Sequence, residues 1–391
     1  MLFGQVNKMS GLLVLWAFLG GYKGYSQQAS LEEKTLLHDN LWTSARAAGT
    51  GGALAGLADG MDAPYYNPAG IGGLHTSKKE SNKAIRFIGF PYGGVAVGEN
   101  SVALNKEFSS TDEAGADPVV TRAVLDAHEG NRQYARFSLV PAFVVSRFMV
   151  AYIYDSQIAA IGLQDGSGLI RTAQMETSGL GAGFSATDPD GKFYIGAFAA
   201  SLEKTTLQGD LSFNQIADPV TRKDVIKDAK KKYKGTAAHA GILWRIAKKA
   251  KPSLGLVVRN AGDSKYESSD PSEDAMVVEE DVALALTISP QLGKWGFFSF
   301  SLEGDHLTDH KMAVKKKLKA GMEMTIGGLF GNSSGFGLRA GYNVAGASYG
   351  FHANLGLVGI ALSSYAEDIG LENKQMVERR YVGVASVNVA H

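Results

Sequence analysis

The chain has 391 residues, with 39 Lys and Arg balanced by 39 Asp and Glu, so no net charge favours a nucleic-acid or strongly acidic partner. It contains no cysteine, which excludes a disulfide framework, a thiolate nucleophile and thiolate-bound zinc or iron–sulfur groups. The 48 glycines with only 10 prolines are typical of strands, tight turns and close packing rather than of a flexible linker.

The first 26 residues have the pattern of a secretory signal peptide. Lys8 precedes the apolar run "GLLVLWAFLGG", and the small residues Gly24 and Ser26 follow it. This apolar run is too short to cross a bilayer, which takes about 20 residues. We therefore expect residues 1–26 to be a signal peptide of an exported protein, with an N-terminal anchor or a buried helix as the alternative.

Residues 27–80 show no strand pattern. A short helix is predicted near Ser30, and "GTGGALAG" (49–56) then begins a tract of small residues. Its glycine spacing does not fit G-x-G-x-x-G and no strand precedes it, so a dinucleotide-binding loop is not indicated. The Asn67-Pro68 step predicts a stiff turn, because a proline pushes the residue before it out of the helical region.

From residue 84 onward, apolar and polar residues alternate with a period of two. In "KLKAGMEMTI" (317–326), Leu318 and Met322 fall on one face, and Lys319 and Glu323 on the other. Such strands form either a soluble sandwich with an apolar core or a membrane barrel with an apolar exterior and a wet lumen. Charges inside the runs and strand lengths of 10–15 residues favour the membrane barrel, whose tilted strands need ~9–11 residues to cross the bilayer.

We predict an all-β fold over residues 81–391, a transmembrane antiparallel β-barrel of about fourteen strands. The connections support it, because short turns alternate with long loops such as 99–133, 211–235, 266–275 and 368–378, as in outer-membrane barrels. Helices are expected in the loops at 117–130 and 218–235. In the second loop, the lysines at 230–232 are interpreted as the solvated face of the helix. The predicted strands are 84–98, 134–146, 149–163, 169–186, 192–210, 236–247, 252–267, 276–290, 295–306, 312–327, 335–343, 347–355, 357–367 and 379–389.

Fourteen strands enclose a hole too wide for side chains alone to fill, so we expect residues 27–80 to form a helical or irregular plug in the lumen. The stretch "GTGGALAGLADGMDAPYYNPAGIGGL" (49–74) resembles the N-terminal hatch of the FadL/TodX-like outer-membrane transporters, a superfamily that also includes type IX secretion shuttle-like barrels. The resemblance rests mainly on Ala58-Asp59 and on Tyr66-Asn67-Pro68-Ala69. It implies passive transport of hydrophobic or amphipathic small molecules across the bacterial outer membrane.

No cofactor, metal site or enzymatic activity is expected. "EGDHLTDH" gathers Glu303, Asp305, His306, Asp309 and His310, but at a strand end such residues are typically solvated. No Ser lies in a G-x-S-x-G elbow. The expected partners are outer-membrane lipid and a hydrophobic ligand, with no nucleic acid. The candidate ligand-binding or gating residues are Leu54, Leu57, Met61, Tyr65, Tyr66, Asn67 and Pro68.

Three other functions fit the same pattern. The main alternative is a non-transporting scaffold or shuttle barrel that binds a protein partner through its outer loops or lumen. A small-solute porin and a soluble periplasmic β-protein are the others.

Overall fold

A computed structural model defines the architecture. It describes Leu37 and residues 43–75, 87–89, 93–110, 123–124, 126–128, 130–145, 147–163, 169–212, 229–247, 250–293, 296–328, 331–370 and 375–389. The predicted signal peptide, and the predicted domain boundaries after residues 26 and 80, lie outside these residues and stay predictions.

In the described part of the chain, fourteen antiparallel strands form one closed ring, which confirms the predicted antiparallel barrel. Each strand pairs with its neighbours in sequence, and β14 closes the ring by pairing with both parts of β1. The strands are β1 (Phe87–Gly89 and Gly93–Gly98), β2 (Gln133–Leu139 and Ala142–Val145), β3 (Phe148–Gly162), β4 (Leu169–Thr187), β5 (Phe193–Ser212), β6 (Lys230–Arg245), β7 (Ser253–Arg259 and Ser264–Ser268), β8 (Met276–Val278 and Asp281–Ile288), β9 (Gly296–Gly304), β10 (Leu318–Gly328), β11 (Gly331–Asn343), β12 (Gly346–Leu355), β13 (Val358–Asp368) and β14 (Val377–Val389).

Alternation along the strands separates an apolar exterior from a polar interior. In β9, Phe300 and Leu302 are exposed, whereas Ser299 and Ser301 are at most 1% exposed. In β10, Met322 is exposed and Glu323 is buried. Exposed apolar side chains on the outside and buried polar ones on the inside give the polarity of a transmembrane barrel rather than of a soluble one.

A charge placed on the exterior should therefore oppose membrane insertion. Leu286 of β8 is 49% exposed between exposed neighbours on the same face, Leu284 and Ile288. We expect Leu286→Arg to lower the free energy of unfolding in lipid by about 2–4 kcal/mol, the cost of an arginine at mid-bilayer. Urea titration of the protein folded into vesicles measures this. Val314→Arg, at an even more exposed apolar residue outside the strands, is the matched control and should change stability by less than about 0.5 kcal/mol.

The two ends of the barrel differ in their connections. At one end the connections are turns of two to seven residues, such as 146–147, 188–192 and 356–357. At the other end, which we call the long-loop end, lie the three longest connections, 99–132, 213–229 and 305–317. The other connections at the long-loop end are shorter, and the tightest of them is 344–345.

Three local predictions are corrected at the long-loop end. Glu99–Ser110 forms helix α3 in a connection expected to be a loop. Lys230–Gly235 belongs to β6 instead of a helix, because β6 continues the ladder with β5 as far as the Leu207 and Lys230 pair. Val314–Lys317 forms a helical turn, α4, before β10, so the predicted strand at 312–327 begins only at Leu318. The predicted helix at 117–130 lies largely outside the described residues.

Residues 43–75, which we call the luminal segment, contact the inward-facing side of the barrel wall. The segment contains helices α1 (Ala45–Gly49) and α2 (Ala63–Tyr66) and two 3-10 turns, Gly60–Asp62 and Pro68–His75. The Ser44 hydroxyl caps α1 by accepting a bond from the amide of Ala47. Within the described residues, no helix combines the length and apolar character needed to span a membrane.

Candidate functional site: the luminal segment and the cavity above it

Glycines let the luminal segment approach the wall at backbone distance. A β-carbon at Gly341 would overlap the backbone of Thr50, and one at Gly196 would overlap the backbone of Pro68. On the segment, Gly51 and Gly52 have φ values of 65° and 87°, in the left-handed region that favours glycine. Part of the glycine excess thus comes from packing between the segment and the wall.

A buried ion-pair chain joins the luminal segment to the wall. The Arg46 guanidinium of α1 donates from Nε and Nη2 to one Glu323 oxygen, at 3.0 and 2.7 Å. Arg339 of β11 donates to the other oxygen at 2.8 Å. Arg46 also pairs with Asp59, further along the segment. The lumen therefore neutralises these charges by pairing them, and not by hydration as the alternation alone implied.

Asn67 fixes the predicted turn. Its amide nitrogen donates to the carbonyls of Ala55, at 2.9 Å, and of Ile242 in β6, at 3.2 Å. Its Oδ1 accepts the Ala69 amide at 3.1 Å. The backbone at Asn67 is extended, with φ −160° and ψ 104°, as a following proline requires.

Removing this side chain should loosen the segment. Asn67→Ala removes the hydrogen-bond partner of two carbonyls and one amide. We therefore expect it to lower the free energy of unfolding by about 2–3 kcal/mol. Asn354→Ala, at an exposed position of β12, is the control and should stay within about 0.5 kcal/mol of the parent. Equal midpoints in urea for the two variants would rule out this role.

A cavity of about 700 Å³ lies at the long-loop end, with the luminal segment as its floor. Tyr65 and Tyr66 line this floor together with Gly51 and Gly52. The other five predicted site residues do not border the cavity. Leu54, Leu57, Met61, Asn67 and Pro68 are instead buried in packing within the segment or against the wall. Whether any of the seven binds a ligand stays a prediction.

Charged side chains form much of the cavity wall. Arg259, at the end of the first part of β7, pairs with Asp281 and, at 2.9 Å, with Asp305. Lys319 also pairs with Asp305. Burial opposes ionisation of Asp305, but the charges of Lys319 and Arg259 outweigh it and hold the pKa of Asp305 well below its usual range.

The acidic stretch at 303–310 is divided by the fold. Glu303 points to the luminal segment, where its carboxylate accepts the Ala55 amide at 2.7 Å, and Asp309 accepts the amides of its own turn. Possible metal-ligand atoms of Asp281, Asp305 and His306 lie within 4.8 Å of one another. Both carboxylates already pair with Arg259, so a cation would have to displace that guanidinium.

Several residues of the cavity wall were not predicted from the sequence. Arg259 and Asp281 come from different strands, and Lys316 reaches Asp368 across the barrel mouth at 2.9 Å. The sequence does contain a signal for Arg259, which is a charge at an inward-facing position. Arg259 continues a series of buried residues at every second position, namely Ser253, Gly255 and Val257.

Several solved structures are similar to this chain. The TodX deltaS2S3 mutant, a monoaromatic hydrocarbon channel, matches 89% of this chain and 99% of its own, with a TM-score of 0.50 and 11% identity. The Pseudomonas putida toluene transporter TodX covers 88% and 97%, with a TM-score of 0.48 and 10% identity. The Ralstonia pickettii toluene transporter TbuX covers 90% and 100%, with a TM-score of 0.46 and 10% identity. No protein-family model matches the sequence, and no curated protein matches it.

The class of the protein follows from its own geometry. A closed antiparallel barrel with an apolar exterior, a polar interior and connections of unequal length at its two ends is the architecture of outer-membrane barrels. The protein is an outer-membrane β-barrel, and the match to the TodX mutant supports the same fold.

Proposed function

We propose that the protein is a passive outer-membrane channel that admits hydrophobic or amphipathic small molecules through the cavity at its long-loop end. The observation that carries this proposal is the cavity of about 700 Å³ above the luminal segment. Its size suits a small ligand. Its lining combines apolar and aromatic groups, such as Met312 and Tyr66, with charged ones, which is the combination that an amphipathic molecule requires.

Passage would require the luminal segment to move. Residues 62–74, which include α2 and the Asn67-Pro68 step and which we call the turn at 62–74, lie against β4 to β6. Hydrogen bonds hold them there, such as the one from the Ser185 hydroxyl to the Ala69 carbonyl, at 2.9 Å. We propose that an occupied cavity shifts this turn and opens a route along the wall, with no covalent step.

Uptake by cells tests the proposal. A strain that lacks the protein should take up a labelled amphipathic probe more slowly than its parent, and the full chain expressed from a plasmid should restore the rate. Unchanged uptake in the deletion strain, together with a stoichiometric protein partner in purified outer membranes, would point to the scaffold function instead.

A further inference from the structure

The lining of the cavity has more negative than positive charge. It includes four Lys and Arg side chains, Arg259, Lys311, Lys316 and Lys319. It also includes seven carboxylates, Glu279, Glu280, Asp281, Asp305, Asp309, Glu367 and Asp368. Burial lowers the pKa of His306, but its bond to Asp305 and the nearby carboxylates outweigh this and raise that pKa. Even a charged His306 leaves an excess of two negative charges.

The basic groups of the lining are mostly engaged. Arg259 pairs with two carboxylates of the wall, and Lys319 shares one of them. Lys316 pairs with Asp368 and is only 7% exposed. An incoming anion would have to break one of these pairs, or bind at Lys311, which is exposed at the rim. Breaking a buried pair leaves a charge without a partner and is costly.

Two of the acidic groups, Glu279 and Glu280, are more accessible than the paired basic groups. Glu279 is exposed and Glu280 half-exposed, and both lie between the two parts of β8. The Glu280 carboxylate accepts one bond, from the amide of Gly262 at 2.9 Å, which leaves further acceptor positions on its oxygens. A cleft whose walls carry an excess of one sign of charge concentrates the opposite ion inside it.

We infer that the cavity selects amphipathic small molecules with a cationic head group, such as an alkylammonium, over anionic molecules with the same tail. The head group would lie near Glu279 and Glu280, and the apolar tail near Tyr66 and Met312. This inference rests on the proposed function, because it assumes that the cavity receives an amphipathic molecule.

Three probes with one octyl tail test the selection. They are octyltrimethylammonium, octanoate and octanol, each titrated against the protein in nanodiscs. Because the chain has no cysteine, Val344→Cys in the cavity lining gives a single labelling site for an environment-sensitive fluorophore. Empty nanodiscs correct for partition into lipid.

The cation should bind about tenfold more tightly than the anion at low salt, and the difference should shrink as salt is added. Glu279→Gln with Glu280→Gln should reduce the preference to about threefold or less. The matched control is Asp190→Asn with Glu267→Gln, which removes two exposed carboxylates outside the cavity lining and should leave the preference unchanged.

Each outcome decides one of the two claims. Equal binding of cation and anion, tighter binding of the anion, or a full preference retained by the glutamine variant would overturn the inference and leave the proposed function standing. Failure of all three probes, octanol included, to bind would overturn the proposed function as well.

Discussion

Deletion of residues 43–75 should turn the barrel into a steadily conducting pore. The segment packs against the inner wall of a fourteen-stranded ring, and such a ring is too wide for wall side chains to close. The side chains left behind, including Glu303, Glu323 and Arg339, are charged and would be hydrated by the water that replaces the segment. Single-channel recording in planar bilayers measures the change.

The parent protein is the reference for this recording, and gel mobility before and after heating shows that the variant is a folded barrel. A folded variant with the low conductance of the parent would mean that the luminal segment does not close the pore.

The second large effect is expected at Glu323. Glu323→Gln removes the carboxylate that Arg46 and Arg339 share, so two guanidinium groups that are 6–14% exposed lose a counter-charge. Breaking a buried pair by removing one partner typically costs about 3–5 kcal/mol, and we expect a loss of this size in the free energy of unfolding. Asp59, which still pairs with Arg46, should keep the loss near the lower limit.

The control is Glu203→Gln, which removes a wall carboxylate that pairs with Lys234 at 3.1 Å with both side chains exposed. Exposed pairs contribute about 0–1 kcal/mol. Comparable losses in the two variants would show that the chain from Arg46 to Arg339 does not hold the segment to the wall.

The barrel could be predicted from sequence because its signal is local. Alternation in β9 and β10 assigns Leu302 and Met322 to the exterior and Glu323 to the interior without knowledge of any partner, and the structure confirms this. The fourteen strands follow from the same pattern, mostly with errors of a few residues at their ends. There are two larger errors: Lys230–Gly235, predicted as the end of a loop helix, instead extends β6 beyond the apolar exterior, and the strand predicted from residue 312 begins only at Leu318.

The cavity could not be predicted because its parts come from distant segments. Arg259 lies in β7. Of its partners, Asp281 begins the second part of β8 and Asp305 follows the end of β9. Among the predicted site residues, Tyr65 and Tyr66 line the floor of the cavity, whereas Leu54 and Pro68 do not. A linear pattern shows that a segment is apolar and stiff, but not which of its faces meets the open space.

The proposed transport depends most on movement of the luminal segment, and a reversible disulfide tests this movement directly. A β-carbon at Gly72 would lie 3.5 Å from Cβ of Ser185 in β4, within the range that a disulfide spans. The chain has no other cysteine, so Gly72→Cys with Ser185→Cys forms one bond that locks the turn at 62–74 to the wall.

The measurement is influx of a labelled amphipathic probe into proteoliposomes that contain this double variant, oxidised and then reduced. Influx should fall to the rate of protein-free vesicles when the bond is closed, and should recover when a reductant opens the bond in the same sample. Equal influx in the oxidised and reduced states would contradict a moving turn, because the probe would then cross the barrel without movement of the turn.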